Sequence, residues 1–183
     1  MESLQGNFLI STAKMPDPRF QEKLIYMCGH TEEGAIGLVV NNPLPDVRLD
    51  EIFKSADIPV PDFELPPVYV GGPVEMGSGF ILYTADYHAE SQLQVSTTVC
   101  LSSDPKILRD IALNIGPMNY LFLLGYAGWG PGQLENELTD NGWLILPAED
   151  DVIFHTADSQ KWKVAAQRYG IDITTYGDIV GSA

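Results

Sequence analysis

Apolar residues fall in short blocks separated by glycine- and proline-rich breaks, and most blocks have the length of a strand. GNFLIST, over 6–12, predicts a first strand, and prolines 16 and 18 keep the following loop out of helix. KLIYMC (23–28) and AIGLVVN (35–41) predict a second and a third strand. The six turn-forming residues between them make the pair an antiparallel hairpin. The third is apolar almost throughout, which predicts burial on both faces. RLDEIFKS (48–55) has Leu49, Ile52 and Phe53 at helical spacing. Four prolines at 59, 61, 66 and 67 then impose an extended loop, a candidate lid or surface wrap.

Further strands are expected at 68–70, 79–84 and 94–100. Asp104-Pro105 predicts a helix start, with Ile107, Leu108, Ile111, Ala112 and Ile115 on one apolar face and Gly116-Pro117 at its end. A strongly apolar strand over 120–126 precedes a second helix near Pro131, which carries Leu134 and Leu138. Another strand is expected at 143–146. Ser159 is expected to cap a last helix with Trp162, Ala165, Ala166 and Tyr169 inward and Gly170 at its C-terminal end. Strands outnumber helices and do not alternate with them regularly. The expectation is a single α+β domain over 1–183, with a mixed, partly barrel-like β-sheet and helices packed outside.

Composition narrows the function more than the fold. The chain has 183 residues, 45% of them hydrophobic, which is enough for a proper core. Its net charge is −15, and no Lys or Arg occurs between Asp110 and Gln160. Nucleic-acid affinity needs clustered cations to neutralise phosphates, so direct DNA binding is disfavoured, and so is binding to an anionic membrane. No apolar run is long enough to span a bilayer, and the N-terminus lacks the pattern of a signal peptide. Cys28 and Cys100, outside any metal-binding spacing, read as reduced, inert thiols of a cytoplasmic protein. The pattern calls for no metal and no cofactor, and for a protein or small-molecule partner.

Four segments carry candidate chemistry. His30, beside Glu32 in the hairpin turn, has the makings of a base oriented by a carboxylate, although an exposed turn histidine is the commoner outcome. Cys28 stands two residues before it, on the same face of a regular strand but about 7 Å away. Gly71-Gly72-Pro73 reads as a tight turn whose amides could also cradle an anion, and Asn41 closes the third strand as a polar ligand candidate. The richest segment is Gly125-Tyr126-Ala127-Gly128-Trp129-Gly130-Pro131-Gly132-Gln133-Leu134-Glu135. There an apolar strand is expected to enter a glycine-rich turn at a helix start, with Tyr126 and Trp129 as a stacking platform, Gly128 and Gly130 as its frame and Gln133 as a polar handle. The same segment also reads as a scaffold turn or an oligomer interface. Asp150 and Asp151 are the paired acids that a Mg²⁺-dependent hydrolase would use, and they equally suit a helix start.

That segment resembles the YqgE/AlgH family of bacterial proteins. The resemblance extends to LQGNFLI (4–10) with MPDPRF (15–20), to CGHTEEGAIGLVVN (28–41), VGGPV (70–74), NGWL (141–144) and YGID (169–172), nearly the whole chain. The family often has Glu-His-Asn where Gly29-His30-Thr31 stands here. The resemblance implies a single-domain α+β fold, a mixed sheet closing towards a barrel, in a cytoplasmic bacterial protein. The family name carries a proposed transcriptional-regulator role, and relatives a nuclease-like activity, but no catalytic residues come with it. A non-enzymatic binding or regulatory module is the first expectation, and a hydrolase or nuclease-like enzyme on a nucleotide-like substrate the alternative.

Overall fold

A computed structural model describes residues 2–176. Among them, β1 (Asn7–Ser11), β2 (Leu24–Thr31) and β3 (Gly34–Val39) form an antiparallel meander, followed by α1 (Leu49–Ser55) and the short β4 (Val68–Val70). Next come β5 (Val74–Thr84), β6 (Leu93–Gln94), β7 (Val99–Ser102), α2 (Lys106–Ala112) and β8 (Tyr120–Trp129). The chain continues through α3 (Gln133–Thr139), β9 (Trp143–Pro147), α4 (Asp150–His155) and α5 (Asp158–Gln167). The strands join in one sheet in the order β6-β7-β5-β8-β3-β2-β1-β9, all antiparallel except for β4, which runs parallel to β8. This is an α+β fold built on a curled half-barrel.

The curl follows from what the ends of the sheet share. Phe8 and Ile10 of β1 lie in one buried cluster with Val99 and Leu101 of β7, although four strands separate them in the sheet order. Gln5 Nε2 donates to Val95 O across the gap at 3.0 Å. Helices α4 and α5 close this concave core with Val152, Ile153, Trp162, Ala165 and Ala166. A second cluster packs α1 and α2 on β5 and β7, and a third packs α3 on β1, β2 and β9.

Several elements differ from the sequence expectation. The expected strand over 94–100 is a hairpin, because Ser96 Oγ accepts the Thr98 and Val99 amides and turns the chain. Helix α2 stops at Ala112: Asn114 takes a left-handed φ of 61°, and Ile115 is 63% exposed instead of inward. The last helix starts at Asp158 with no side-chain cap from Ser159, and Tyr169 is exposed. A separate helix, α4, precedes it where no periodicity marked one. Strand β8 runs on to Trp129, three residues past the expected end at Tyr126. Gly170 does end the last helix as read: its amide bonds Gln167 O at 2.9 Å and the next, Ile171, reaches back to Ala166 O at 3.1 Å.

The core is rich in buried phenols, and this gives the fold a pH limit. Burial pushes Tyr26, Tyr83 and Tyr120 up to about 12, and raises Tyr69 and Tyr87 as well, with Asp158 and Asp110 adding to it. Unfolded tyrosines ionise near pH 10, so above that the unfolded chain loses protons that the folded one keeps. Stability is therefore full below about pH 10 and is lost as pH rises towards 12. Urea midpoints should hold from pH 7 to 9 and fall steeply by pH 11, with the phenolate absorbance of these five tyrosines appearing together with unfolding. Phenolate absorbance from more than three of the eight tyrosines at pH 10.5 in a still-folded protein would contradict this.

Candidate functional site

The two glycine clusters meet, but on each other. The chain leaving β4 is wedged between β3 and β8: Gly71 N donates to Leu124 O at 2.8 Å, while Gly71 O accepts from Val39 N at 2.8 Å. Gly71-Gly72 then crosses over β8 at Gly125-Tyr126 and starts β5 on the other side, where Val74 is in register with Tyr126. A Cβ on Gly72 would stand 2.1 Å from the Tyr126 carbonyl carbon, and one on Gly125 2.4 Å from Gly72 O. The Gly71 amide is spent on Leu124 O and is not free to cradle an anion, the lesser of the two readings of this segment.

His30 is likewise built into the fold. It lies at the end of β2 and not in the turn, and its side chain is 5% exposed, which corrects the exposed-turn expectation. An extra residue at Cys28 shifts the β2–β3 register between Met27 and Gly29. This bulge puts His30 on the opposite sheet face from Cys28. Ile36, paired with Gly29, packs on the concave core, and Ala35, paired with His30, on the α3 side. There Nδ1 accepts the Leu4 amide at 3.0 Å and Nε2 meets Glu135 Oε1 at 2.6 Å. With Nδ1 accepting, the neutral ring carries its proton on Nε2 and donates it to Glu135. That bond holds the Glu135 carboxyl below its ordinary value. The carboxylate that orients His30 is thus Glu135, not Glu32, which is exposed in the turn. Sequence reading assigned Glu135 to the helix start, and a separation of 105 residues gave no signal of the pair.

The other candidates divide the same way. Tyr126 packs edge-on against Phe80 on the concave side, whereas Trp129 packs on Trp143 on the α3 side, so they form no common stacking platform. Gln133 Oε1 accepts the Gly130 amide at 3.0 Å, closing the turn. Asn41 Oδ1 accepts from Leu24 N and Nδ2 donates to Glu22 O, stapling the start of β2. Asp151 is bound by Arg168, which also holds Glu149, so a guanidinium stands where the Mg²⁺ of the alternative hydrolase reading would need room. Cys28 is fully buried, and burial pushes its thiol up to about 12, as inert as expected.

Signature residues converge on an open groove beside Tyr126, and others line a smaller cleft between Met15, Asp17, Gln133 and Gly142. The groove, of about 530 Å³ at the end of the half-barrel, is shallow and is lined by Ile36, Val74, Tyr126, Trp129 and the glycines 29, 34 and 128. A Cβ on Gly128 would touch the Tyr126 ring at 3.3 Å, so this glycine keeps the floor open beside the ring. Thr31 and Glu33 stand at its rim. Its chemistry is that of recognition: apolar walls, bare backbone and an aromatic ring. His30 borders it, but with both ring nitrogens already bonded. Val74 and Ile36 were missed as walls, since strand pairing alone brings them together.

The chain matches a family model described as AlgH-like over residues 8–174. It is 42% identical to a UPF0301 protein of Desulfotalea psychrophila, covering 99% of this chain and 95% of the relative. A UPF0301 protein of Rhodospirillum rubrum is also 42% identical, with 98% and 94% covered. The solution structure of AlgH from Pseudomonas aeruginosa superimposes with a TM-score of 0.78 at 34% identity, covering 98% of this chain and 94% of that one. A crystal structure from Corynebacterium diphtheriae gives 0.71 at 21% identity, over 89% and 85%, a likeness of fold alone.

Proposed function

The chain belongs to the AlgH-like family, and on that premise we propose that it is a non-enzymatic binding module whose ligand lies in the Tyr126 groove. The observation that carries this reading is the state of His30. A general base must reach the proton it abstracts, and this imidazole is buried with both nitrogens committed. What the groove offers instead is an apolar, glycine-floored surface of the kind that receives a small apolar group or an extended peptide. Any regulatory role runs through such a partner, because a chain of net charge −15 lacks the cation cluster that DNA requires. No helix among the described residues is long and apolar enough to cross a membrane.

The test is a thermal-unfolding screen against nucleotides, metabolites, divalent cations, short DNA and peptides. A ligand at about 100 times its Kd adds roughly 2.7 kcal/mol, a readable midpoint shift. The shift should vanish in Gly128→Leu, whose side chain fills the groove, and survive in His30→Gln. Turnover of any substrate that His30→Gln abolishes would replace the binding module by an enzyme. A gel shift with purified protein at physiological salt would defeat the indirect route.

A further inference from the structure

The exposed apolar side chains are not scattered. Of the nine large ones that the described residues expose, five come from two neighbouring segments: Val60 and Phe63 on the proline-rich strap after α1, and Leu113, Ile115 and Met118 after α2. Met118 is 83% exposed and Leu113 69%. The strap is anchored by Ile58, which is buried with α1 and α2 in one cluster, and its prolines fix its course. It wraps the surface, and its Val60-Pro61 ridge separates two clefts. One, of about 510 Å³, lies towards α1; the other, of about 290 Å³, lies towards α2, between Pro59 and Leu113.

Arg109 lines the second cleft and is exposed. It is the one arginine of four that makes no ion pair among the described residues: Arg19, Arg48 and Arg168 each hold a carboxylate of this chain. Its sequence neighbour Asp110 does not serve it, since that carboxylate accepts from the Tyr87 hydroxyl and pairs with Lys106. In a protein with 25 carboxylates, a guanidinium left without one beside an apolar cleft is complementary to a carboxylate from outside.

We propose that the strap and the end of α2 form a docking site for a partner-protein segment in which a large apolar side chain stands next to a carboxylate. The apolar side chain enters the cleft between Pro59 and Leu113, and the carboxylate meets Arg109. Ile115 and Met118 stand exposed on the segment that leaves α2, where a flexible thioether adapts to the partner's shape. Exposed apolar surface of this kind with an arginine at its edge has the make-up of an interface core. The rigid strap keeps the cleft formed before the partner arrives.

The test is selection from a random peptide library displayed on phage, against the full chain and against Arg109→Glu, followed by titration of labelled winners. Wild-type protein should select peptides with Asp or Glu beside Leu, Ile or Phe. Arg109→Glu should weaken the winners about tenfold or more and select Lys or Arg in the same place. Met118→Ser should weaken both sets, and Gly128→Leu neither, which separates this surface from the Tyr126 groove. Arg109 and Met118 are exposed, so unchanged thermal midpoints confirm that folding is intact. Winners indifferent to Arg109→Glu, or no enrichment at all, would overturn the proposal. Self-association in sedimentation that Met118→Ser abolishes would reassign the surface to a second copy of this chain.

Discussion

Gly125→Ala is expected to cost at least about 4 kcal/mol, enough to leave much of the protein unfolded at 37 °C. Two penalties combine. Gly125 has φ +73°, a conformation that costs alanine roughly 1–2 kcal/mol. Its new Cβ would also stand 2.4 Å from Gly72 O and 3.0 Å from Val74 O, both backbone atoms that no rotamer change can move. Relief requires lifting the Gly71-Gly72 crossing off β8. That puts at risk the Gly71–Leu124 and Val39–Gly71 bonds, each worth about 1 kcal/mol, and opens the buried packing of Tyr69, Leu123 and Leu38. Gly130→Ala, five residues on in the same run, meets nothing within 4 Å and should stay within about 0.5 kcal/mol. Urea unfolding of the two variants against the parent decides the matter. Equal midpoints for both would mean that the crossing is looser than these distances require.

That contrast also shows where sequence reading stops. The strands of the meander were legible because apolar residues mark them and turn formers bound them, and the family resemblance rested on motifs that span the whole chain. The run from Gly125 to Glu135 was singled out as informative, yet its glycines were read as one turn, framing either a ligand or the scaffold. Gly125 instead makes room for another part of the backbone 53 residues earlier in the chain, a demand set by tertiary crossing and invisible to local propensity. His30 is the same case: its alternation with Cys28 was read on a regular strand, and one bulge moved it to the other face and to Glu135. Alternation of side chains is a local rule, and a single extra residue inverts everything after it. The candidate site was therefore legible as a neighbourhood, through Tyr126, Trp129 and Gly128, while its walls and its spent polar groups were not.

Lys161 was the plainest signal that periodicity overlooked, because it stands four residues before Ala165 on the inward face of α5 and is 1% exposed. Its ammonium donates to Val40 O at 2.9 Å, pairs with Asp158 Oδ1 at 2.8 Å and lies over the Tyr69 ring, whose hydroxyl also donates to Asp158. Burial lowers the Lys161 pKa, and Asp158 opposes that. The two partners are unequally placed, since the Asp158 side chain is 24% exposed and that of Lys161 only 2%. Asp158→Ala therefore strands a buried cation and should cost about 3–5 kcal/mol. Lys161→Met leaves a carboxylate that water and Tyr69 still reach, and should cost less, about 1–3 kcal/mol for the orphaned Val40 carbonyl. The double variant should cost less than the sum. The pH dependence separates this account from mere loss of packing. Without Asp158 the folded-state pKa of Lys161 drops further below its unfolded value. Between those two values the unfolded chain binds the extra proton, so the stability of Asp158→Ala should climb as pH rises from 7 to 9. Over that same range the parent, whose Lys161 is still paired with Asp158, should climb less, and Lys161→Met has no such group to titrate. If Asp158→Ala climbs no more than the parent in that range, the cluster is held by packing and not by its charge.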